Sequence, residues 1–137
     1  MTMSDKKCIK VALVDPFEQK VVYQTIPTDS HGSILGGVKL EIDCSIIDIV
    51  TLSDKHMAII DDNGLYREDT RYSLLPMYPQ PLAGKVVVCN YDEEGNTTDI
   101  DDDMYDELVS YTKFMHEGFS VEPRFEFMPL PTGKELN

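Results

Sequence analysis

Lys-Val-Val-Val-Cys, at residues 85–89, is the stretch of this sequence that decides its fold. Three consecutive valines between turn-forming segments are typical of a β-strand. It is the clearest strand pattern in the chain, and we expect it at the centre of a sheet.

Two strand-like runs near the N-terminus predict a hairpin. Residues 8–14, Cys-Ile-Lys-Val-Ala-Leu-Val, end at the turn signal formed by Asp15 and Pro16. Residues 21–26 form the second run, which Pro27 closes. Both are rich in β-branched residues and lie close together in the sequence, so we expect them to pair.

The middle of the chain reads as a short helix followed by strands. Residues 28–37 begin with cap-type residues and end in a glycine pair, which predicts one or two helical turns with a glycine stop. The alternation in residues 38–42 predicts a half-buried strand. Residues 46–52 and 57–60 predict further strands. Residues 65–82 are expected to be a loop, because their prolines exclude a regular helix there.

One longer helix is predicted towards the C-terminus, with Asp101 as N-cap and an end at Gly118. Apolar residues at helical spacing form one face of it, namely Met104, Tyr105, Leu108, Val109 and Met115. Residues 124–128 alternate as in an edge strand. The expected fold is a single α+β domain over residues 1–137, with an ordered core at about 8–130. It would be a mostly antiparallel, twisted sheet of about five or six strands with one C-terminal helix packed on it.

Composition excludes several functional classes. The chain has 25 acidic and 12 basic residues and a net charge of −13, so we expect no direct binding to nucleic acid. No apolar run approaches the roughly 20 residues of a membrane span, and the N-terminus lacks a secretory h-region. The three cysteines form no Cys-x-x-Cys pair. We expect a cytoplasmic protein with reduced thiols and no membrane partner.

The acidity is local. Residues 92–107, called the acidic junction below, hold nine acidic residues and no basic one, and removing these nine from 25 leaves 16 acidic against 12 basic residues, a net charge of −4. One explanation is a solvated turn followed by a helix start, where negative charge is favourable. Another is a protein-facing surface that imitates the regular charge of DNA and binds a basic groove. Its residues would be Asp92, Glu93, Glu94, Asp99, Asp102, Asp103, Asp106 and Glu107.

A third explanation is calcium. With Gly95 in the sixth place, Asn90, Asp92 and Glu94 fall on the first, third and fifth places of an EF-hand-like loop and Asp101 on the twelfth. The first ligand is Asn, the last is the shorter Asp, and a strand precedes the loop. We therefore expect no metal site.

Catalytic motifs are missing from the sequence. It contains no phosphate-binding glycine loop and no Gly-x-Ser-x-Gly elbow. Cys44 and His56 would make a dyad only by meeting across neighbouring strands. Arg67, Arg71 and Tyr72 combine charge with an aromatic ring, so a ligand phosphate could bind there. We expect no enzyme and no cofactor.

Five short segments carry a family resemblance. They are residues 9–16, Ile-Lys-Val-Ala-Leu-Val-Asp-Pro; residues 35–42, Leu-Gly-Gly-Val-Lys-Leu-Glu-Ile; residues 57–65; residues 82–88; and residues 91–95, Tyr-Asp-Glu-Glu-Gly. In order and spacing they resemble a widespread uncharacterised family of small proteins from bacteriophages and other mobile elements. The resemblance implies a viral or plasmid-borne origin and an accessory protein that manipulates a host component.

From these features we expect a non-enzymatic, phage-type accessory protein in the host cytoplasm. It would bind and inhibit a host protein, such as a defence or nucleic-acid enzyme, by placing the eight acidic residues on a basic surface. The alternative is a module that binds or sequesters a nucleotide or similar small molecule beside Arg67 and Arg71. A homodimer could form through residues 124–128, since exposed strand edges pair readily.

Overall fold

The computed structural model describes residues 8–63 and 70–116, which form nine strands and two helices. In chain order these are β1 (Cys8–Asp15), β2 (Lys20–Pro27), α1 (Leu35–Glu41), β3 (Ile47–Thr51), β4 (His56–Asp61), β5 (Arg71–Leu74), β6 (Leu82–Ala83), β7 (Val86–Tyr91), β8 (Thr97–Thr98), α2 (Asp102–Tyr111) and β9 (Lys113–His116). Neither helix of this described part is long and apolar enough to cross a membrane.

Six strands form one antiparallel sheet in the order β2-β1-β7-β4-β3, with β8 paired to the end of β7. The valine-rich strand β7 lies at the centre, between the hairpins β1–β2 and β3–β4. Ala12 of β1 and Ala58 of β4 align with Val88 from opposite sides. The predicted central strand, the N-terminal hairpin and the α+β class are therefore confirmed.

Both faces of the large sheet are buried, which is why its inner strands are continuously apolar. One face packs against α1, and its buried residues include Val11, Leu13, Ile59, Val87 and Cys89 from the sheet with Ile34, Val38 and Ile42 from the helix region. The other face packs against α2, and its buried residues include Ala12, Val14, Ala58, Val86 and Val88 from the sheet with Ile100, Met104 and Leu108. The helix α2 is the C-terminal helix expected on the sheet, and α1 forms a third layer.

The prediction of a strand at residues 38–42 is wrong, because this segment lies in α1 and its C-cap. Ile34, Val38 and Ile42 recur every fourth residue and are buried, whereas Leu40 is 85% exposed. The glycine pair lies inside the helix and does not stop it. At Gly37 a Cβ atom would lie 2.5 Å from Ile26 Cγ2, so glycine lets α1 approach β2 closely.

The predicted helix end at Gly118 is also wrong. The helix α2 ends at Tyr111, Thr112 is extended, and residues 113–116 form β9. Met115 therefore pairs with Tyr72 of β5 and does not extend the helix face. The strands β6, β5 and β9 form a second, three-stranded sheet, so the segment expected to be a loop contains two short strands. The predicted edge strand at residues 124–128 lies outside the described residues.

The strand β3 ends the large sheet and has one unpaired edge within the described residues. The Leu52 N–H donates to the His56 carbonyl at 3.0 Å, so the even-numbered residues of β3 direct their backbone N–H and C=O groups towards β4. Because this direction alternates along a strand, the odd-numbered residues direct theirs to the open edge. Ile49 is the middle one, and its side chain is 47% exposed. Its outward N–H donates to Oδ1 of Asp48 at 2.9 Å. This carboxylate thereby covers one open hydrogen-bonding position of the edge.

Candidate functional site

The acidic junction connects the central strand β7 to α2, and the structure describes all of it. The chain turns at residues 92–96, pairs back onto β7 through β8 and then enters α2. The eight acidic residues predicted to bind a partner are all exposed: Asp92, Glu93, Glu94, Asp99, Asp102, Asp103, Asp106 and Glu107. The sheet edge and the helix start thus present these carboxylates to solvent on one continuous segment.

Asp92 builds the turn of the junction. Its Oδ1 accepts the N–H groups of Asn96 at 2.8 Å and Glu94 at 3.0 Å. These backbone hydrogen bonds, that of Asn96 first, lower the pKa of the Asp92 carboxyl. Gly95 adopts φ +86°, a conformation that glycine enters without steric cost. Asp92 is therefore a structural residue as well as part of the acidic surface.

The positions named for the calcium hypothesis have other roles in the structure. Oδ1 of Asn90 accepts the Asp101 N–H at 3.2 Å, and Asp92 holds the turn. Thr97 and Thr98 of this loop pair with β7 as strand β8, so the loop does not wrap around a single ion position as a calcium loop does. Across residues 8–63 and 70–116, no group of three or more His, Cys, Asp or Glu side chains is arranged to hold a metal ion.

Asp101 joins three elements at the start of α2. Its Oδ2 accepts the Met104 N–H at 2.9 Å, which confirms the predicted N-cap. Its Oδ1 lies 2.6 Å from Nε2 of His56, the first residue of β4. Partial burial opposes ionisation, but the hydrogen bonds from His56, the Met104 N–H and the Asn90 side chain outweigh it and lower the pKa of Asp101 to about 2. The residue is thus a charged connection between α2 and the sheet.

The His56 ring continues this chain of contacts to Ser53. Nδ1 of His56 lies 2.8 Å from Oγ of Ser53, and the same Oγ accepts the N–H groups of Lys55 at 3.0 Å and His56 at 3.1 Å. Tyr91 of β7 donates its hydroxyl to the Ser53 carbonyl at 2.8 Å. Serine, histidine and aspartate are the residue types of hydrolytic triads. Here, however, the Ser53 oxygen is held inside a turn by two backbone N–H donors.

Two tyrosines hold α2 against β2. The rings of Tyr23 and Tyr105 stack with their centroids 3.6 Å apart. Tyr23 donates its hydroxyl to Asp102 Oδ1 at 2.7 Å, and this bond, aided by desolvation and nearby carboxylates, raises the pKa of Tyr23 to about 12. The Lys10 ammonium lies 4.6 Å from the centroid of the Tyr23 ring, and the backbone N–H of Lys10 donates to Oδ1 of Asp99. Asp99 and Asp102 are therefore partly engaged in docking the helix.

The side chains of four acidic residues of the junction have no hydrogen bond or ion pair with any of the described residues. They are Glu93, Asp103, Asp106 and Glu107, and each is exposed. Farther along α2, Val109 and Tyr111 are 52% and 66% exposed. The solvent-facing side of α2 therefore combines unpaired carboxylates with apolar groups.

An open groove of about 560 Å³ lies beside this side of α2. Its lining residues are Leu74, Leu75, Pro76, Tyr78, Pro79, Glu107, Tyr111 and Lys113. The residues expected to bind a small ligand are not among them. Tyr72 is half-buried, Arg71 has a buried Nε, and Arg67 lies outside the described residues.

Sequence reasoning missed the contact of His56 with Asp101 and Ser53. The dyad considered from the sequence, Cys44 with His56, does not form, because the two residues lie at opposite ends of the β3–β4 hairpin. Cys44 precedes Ile47, which pairs with Asp61 at one end, and His56 lies at the turn end. A Ser-x-x-His turn and an Asp N-cap are visible in the sequence. Their meeting depends on β4 lying next to β7, which no local pattern specifies. Of the three cysteines, Cys89 is buried and Cys8 is exposed.

The fold and the junction define a class: an α+β domain with an antiparallel sheet between two helices and an acidic strand-to-helix connection. Within that class, the chain belongs to the family described as Domain of unknown function (DUF3846), whose family model matches residues 9–115. The match covers most of β1, every element from β2 to α2, and most of β9. The expectation of an uncharacterised family is therefore confirmed.

One curated relative is similar to this chain. It is the "Uncharacterized protein y4iR" of Sinorhizobium fredii (strain NBRC 101917 / NGR234), 29% identical over 80 residues, which are 58% of this chain and 48% of that protein. The chain thus spans about half the length of that relative. No solved structure matches the chain significantly.

Proposed function

We propose that this chain is a non-enzymatic accessory protein of phage or mobile-element type that binds a basic surface of a host protein through the acidic junction. Binding would inhibit the host protein, which we take to be a defence or nucleic-acid enzyme in the host cytoplasm. Such enzymes carry basic grooves for phosphates, and an array of exposed carboxylates complements that charge.

The observation that carries the proposal is the exposure of Glu93, Asp103, Asp106 and Glu107 without a partner among the described residues. Like charges on neighbouring residues repel each other, which costs stability in the free protein. A basic partner would relieve this repulsion and gain Coulomb energy within a Debye length of roughly 8 Å at physiological salt.

Exposed apolar groups beside the charge favour a protein over a small ion as the partner. Val109 and Tyr111 lie on the same helix as Asp106 and Glu107 and are more than half exposed. Protein interfaces combine buried aromatic anchors with a polar rim. Tyr111 with the adjacent groove would supply the anchor and the carboxylates the rim.

The experiment is capture of partners from host lysate at low and high salt, followed by measurement of affinity for the partner recovered. A quadruple variant removes the four unpaired charges by E93Q, D103N, D106N and E107Q. None of these side chains holds the described fold together, so the variant should fold. Because an exposed charge contributes about 0.5 kcal/mol, the four together contribute about 2 kcal/mol, so binding should weaken roughly tenfold to hundredfold and its salt dependence should flatten.

A matched control removes four acidic charges from elsewhere on the chain, at side chains with no hydrogen bond to a described residue. It carries E18Q, E41Q, D54N and D62N, and it has the same net charge as the quadruple variant. The control should keep most of the affinity. If both variants lose affinity to the same extent, general charge explains the binding and the junction is not the interface. Wild-type affinity in the quadruple variant would also refute the proposal.

A further inference from the structure

We propose that Ser53, His56 and Asp101 form a proton-controlled latch that couples the β3–β4 turn to the N-terminus of α2. Uptake of a proton by His56 would loosen the turn and tighten the helix cap. The proposal concerns the fold itself and does not depend on the proposed host partner.

The hydrogen bonds around Ser53 define the tautomer of His56. Oγ of Ser53 accepts two backbone N–H groups, from Lys55 at 3.0 Å and from His56 at 3.1 Å. A hydroxyl oxygen has two lone pairs, so both are occupied and its hydrogen points to Nδ1, 2.8 Å away. Nδ1 is then the acceptor, and Nε2 carries the hydrogen that is donated to Asp101 at 2.6 Å.

Protonation of the ring changes this arrangement on one side only. A hydrogen on Nδ1 would face the Ser53 oxygen, whose lone pairs both accept backbone donors. One of those two backbone bonds must then be released so that Oγ can accept from the ring. On the other side, the bond from Nε2 to Asp101 becomes a charge-assisted pair, which is stronger than its neutral counterpart.

The surroundings of the ring limit access to this proton. The His56 side chain is 14% exposed. From β7, Asn90 is its register partner, and Tyr91 donates its hydroxyl to the Ser53 carbonyl. Asp101 is the charged group in contact with the ring, and the charged residues next to this site in the sequence are Asp54 and Lys55 in the turn and Asp102 and Asp103 at the start of α2.

The test is NMR of the ¹⁵N-labelled full chain between about pH 8 and pH 5, the range in which histidines usually titrate. The imidazole nitrogen shifts of His56 should report the Nε2–H tautomer at the basic end. As the ring takes up its proton, the hydrogen-exchange protection factor of the Lys55 or the His56 amide should fall about fivefold, the effect of one typical net hydrogen bond. The Met104 amide, which Asp101 caps, should lose no protection.

Two variants make the result specific. In Ser53→Ala the two turn amides should no longer respond to the titration of His56. In His31→Gln, which removes a histidine in an exposed loop, the wild-type response should persist. An Nδ1–H tautomer at the basic end would overturn the proposal. Unchanged protection of both turn amides across the titration of wild-type His56 would overturn it too, even if Ser53→Ala did not fold.

Discussion

Replacing Asp101 with alanine tests how α2 is attached to the sheet. The change removes the N-cap acceptor of the Met104 N–H at 2.9 Å, a loss of about 1 kcal/mol for an average cap. It also removes the acceptor 2.6 Å from His56 Nε2. Because 43% of the Asp101 side chain is exposed, water replaces part of that bond, and we assign it about 1 kcal/mol. The free energy of unfolding should fall by about 2 kcal/mol.

Urea unfolding at pH 7, followed by far-UV circular dichroism, measures this difference. Asp101→Asn keeps a side chain oxygen that caps well, so it should lose only about half as much. Asp103→Ala is the matched control, since it removes the same charge from the same helix turn but no hydrogen bond to a described residue. Its stability should change by about 0.5 kcal/mol or less.

The stability difference should also depend on pH. The hydrogen bonds at Asp101 overcome its partial burial and lower its pKa from 3.8 to about 2. A carboxyl whose folded-state pKa is lowered stabilises the protein above the unfolded value and loses that effect as pH falls through the folded value. The gap between wild type and Asp101→Asn should therefore narrow from pH 5 to pH 2. A gap that widens between pH 5 and pH 2, or equal losses in Asp101→Ala and Asp103→Ala, would refute this account.

Three further changes test separate parts of the fold. Gly37→Ala should destabilise the protein by about 1–3 kcal/mol, because its Cβ would lie 2.5 Å from Ile26 Cγ2. Gly36→Ala, with no atom within 4 Å of the new Cβ, should leave stability unchanged or raise it by up to about 1 kcal/mol in urea unfolding. Ser73→Ala should raise stability by about 1 kcal/mol, because the Ser73 hydroxyl is fully buried and has no partner among the described residues; a loss of that size would contradict this. Asp48→Ala uncovers the outward Ile49 N–H and should cause concentration-dependent self-association in light scattering, whereas Asp54→Ala should not.

Strong local patterns identified most of the large sheet. The valines of β7 and the proline-bounded runs of β1 and β2 have one reasonable interpretation, and the structure agrees with it. Residues 38–42 have two reasonable interpretations. Val38, Leu40 and Ile42 fit the period of a strand, whereas Ile34, Val38 and Ile42 fit the period of a helix. The choice depended on Gly37 approaching β2, a long-range contact that no short segment reveals.

The end of α2 and the site at His56 were hidden for the same reason. Residues 113–116 do not continue the helix, because β5 offers them backbone partners, as in the pairing of Phe114 with Ser73. The acidic surface, in contrast, was visible in the sequence because charge is exposed wherever it is not paired. The cap at Asp101 was predicted, but its bond to His56 needed the neighbouring strands in place.

The central position of β7 has a consequence for synthesis of the chain. The hairpins β1–β2 and β3–β4 are both complete by residue 61, yet they share no strand edge until residues 86–91 are made. Until then the inner edges of β1 and β4 lack the neighbour that covers them in the finished sheet. Translation proceeds at about 5–20 residues per second, so the inner edges of β1 and β4 remain unpaired for seconds before β7 is made. Chaperone dependence of this protein in the cell should therefore be greatest before residues 86–91 emerge from the ribosome.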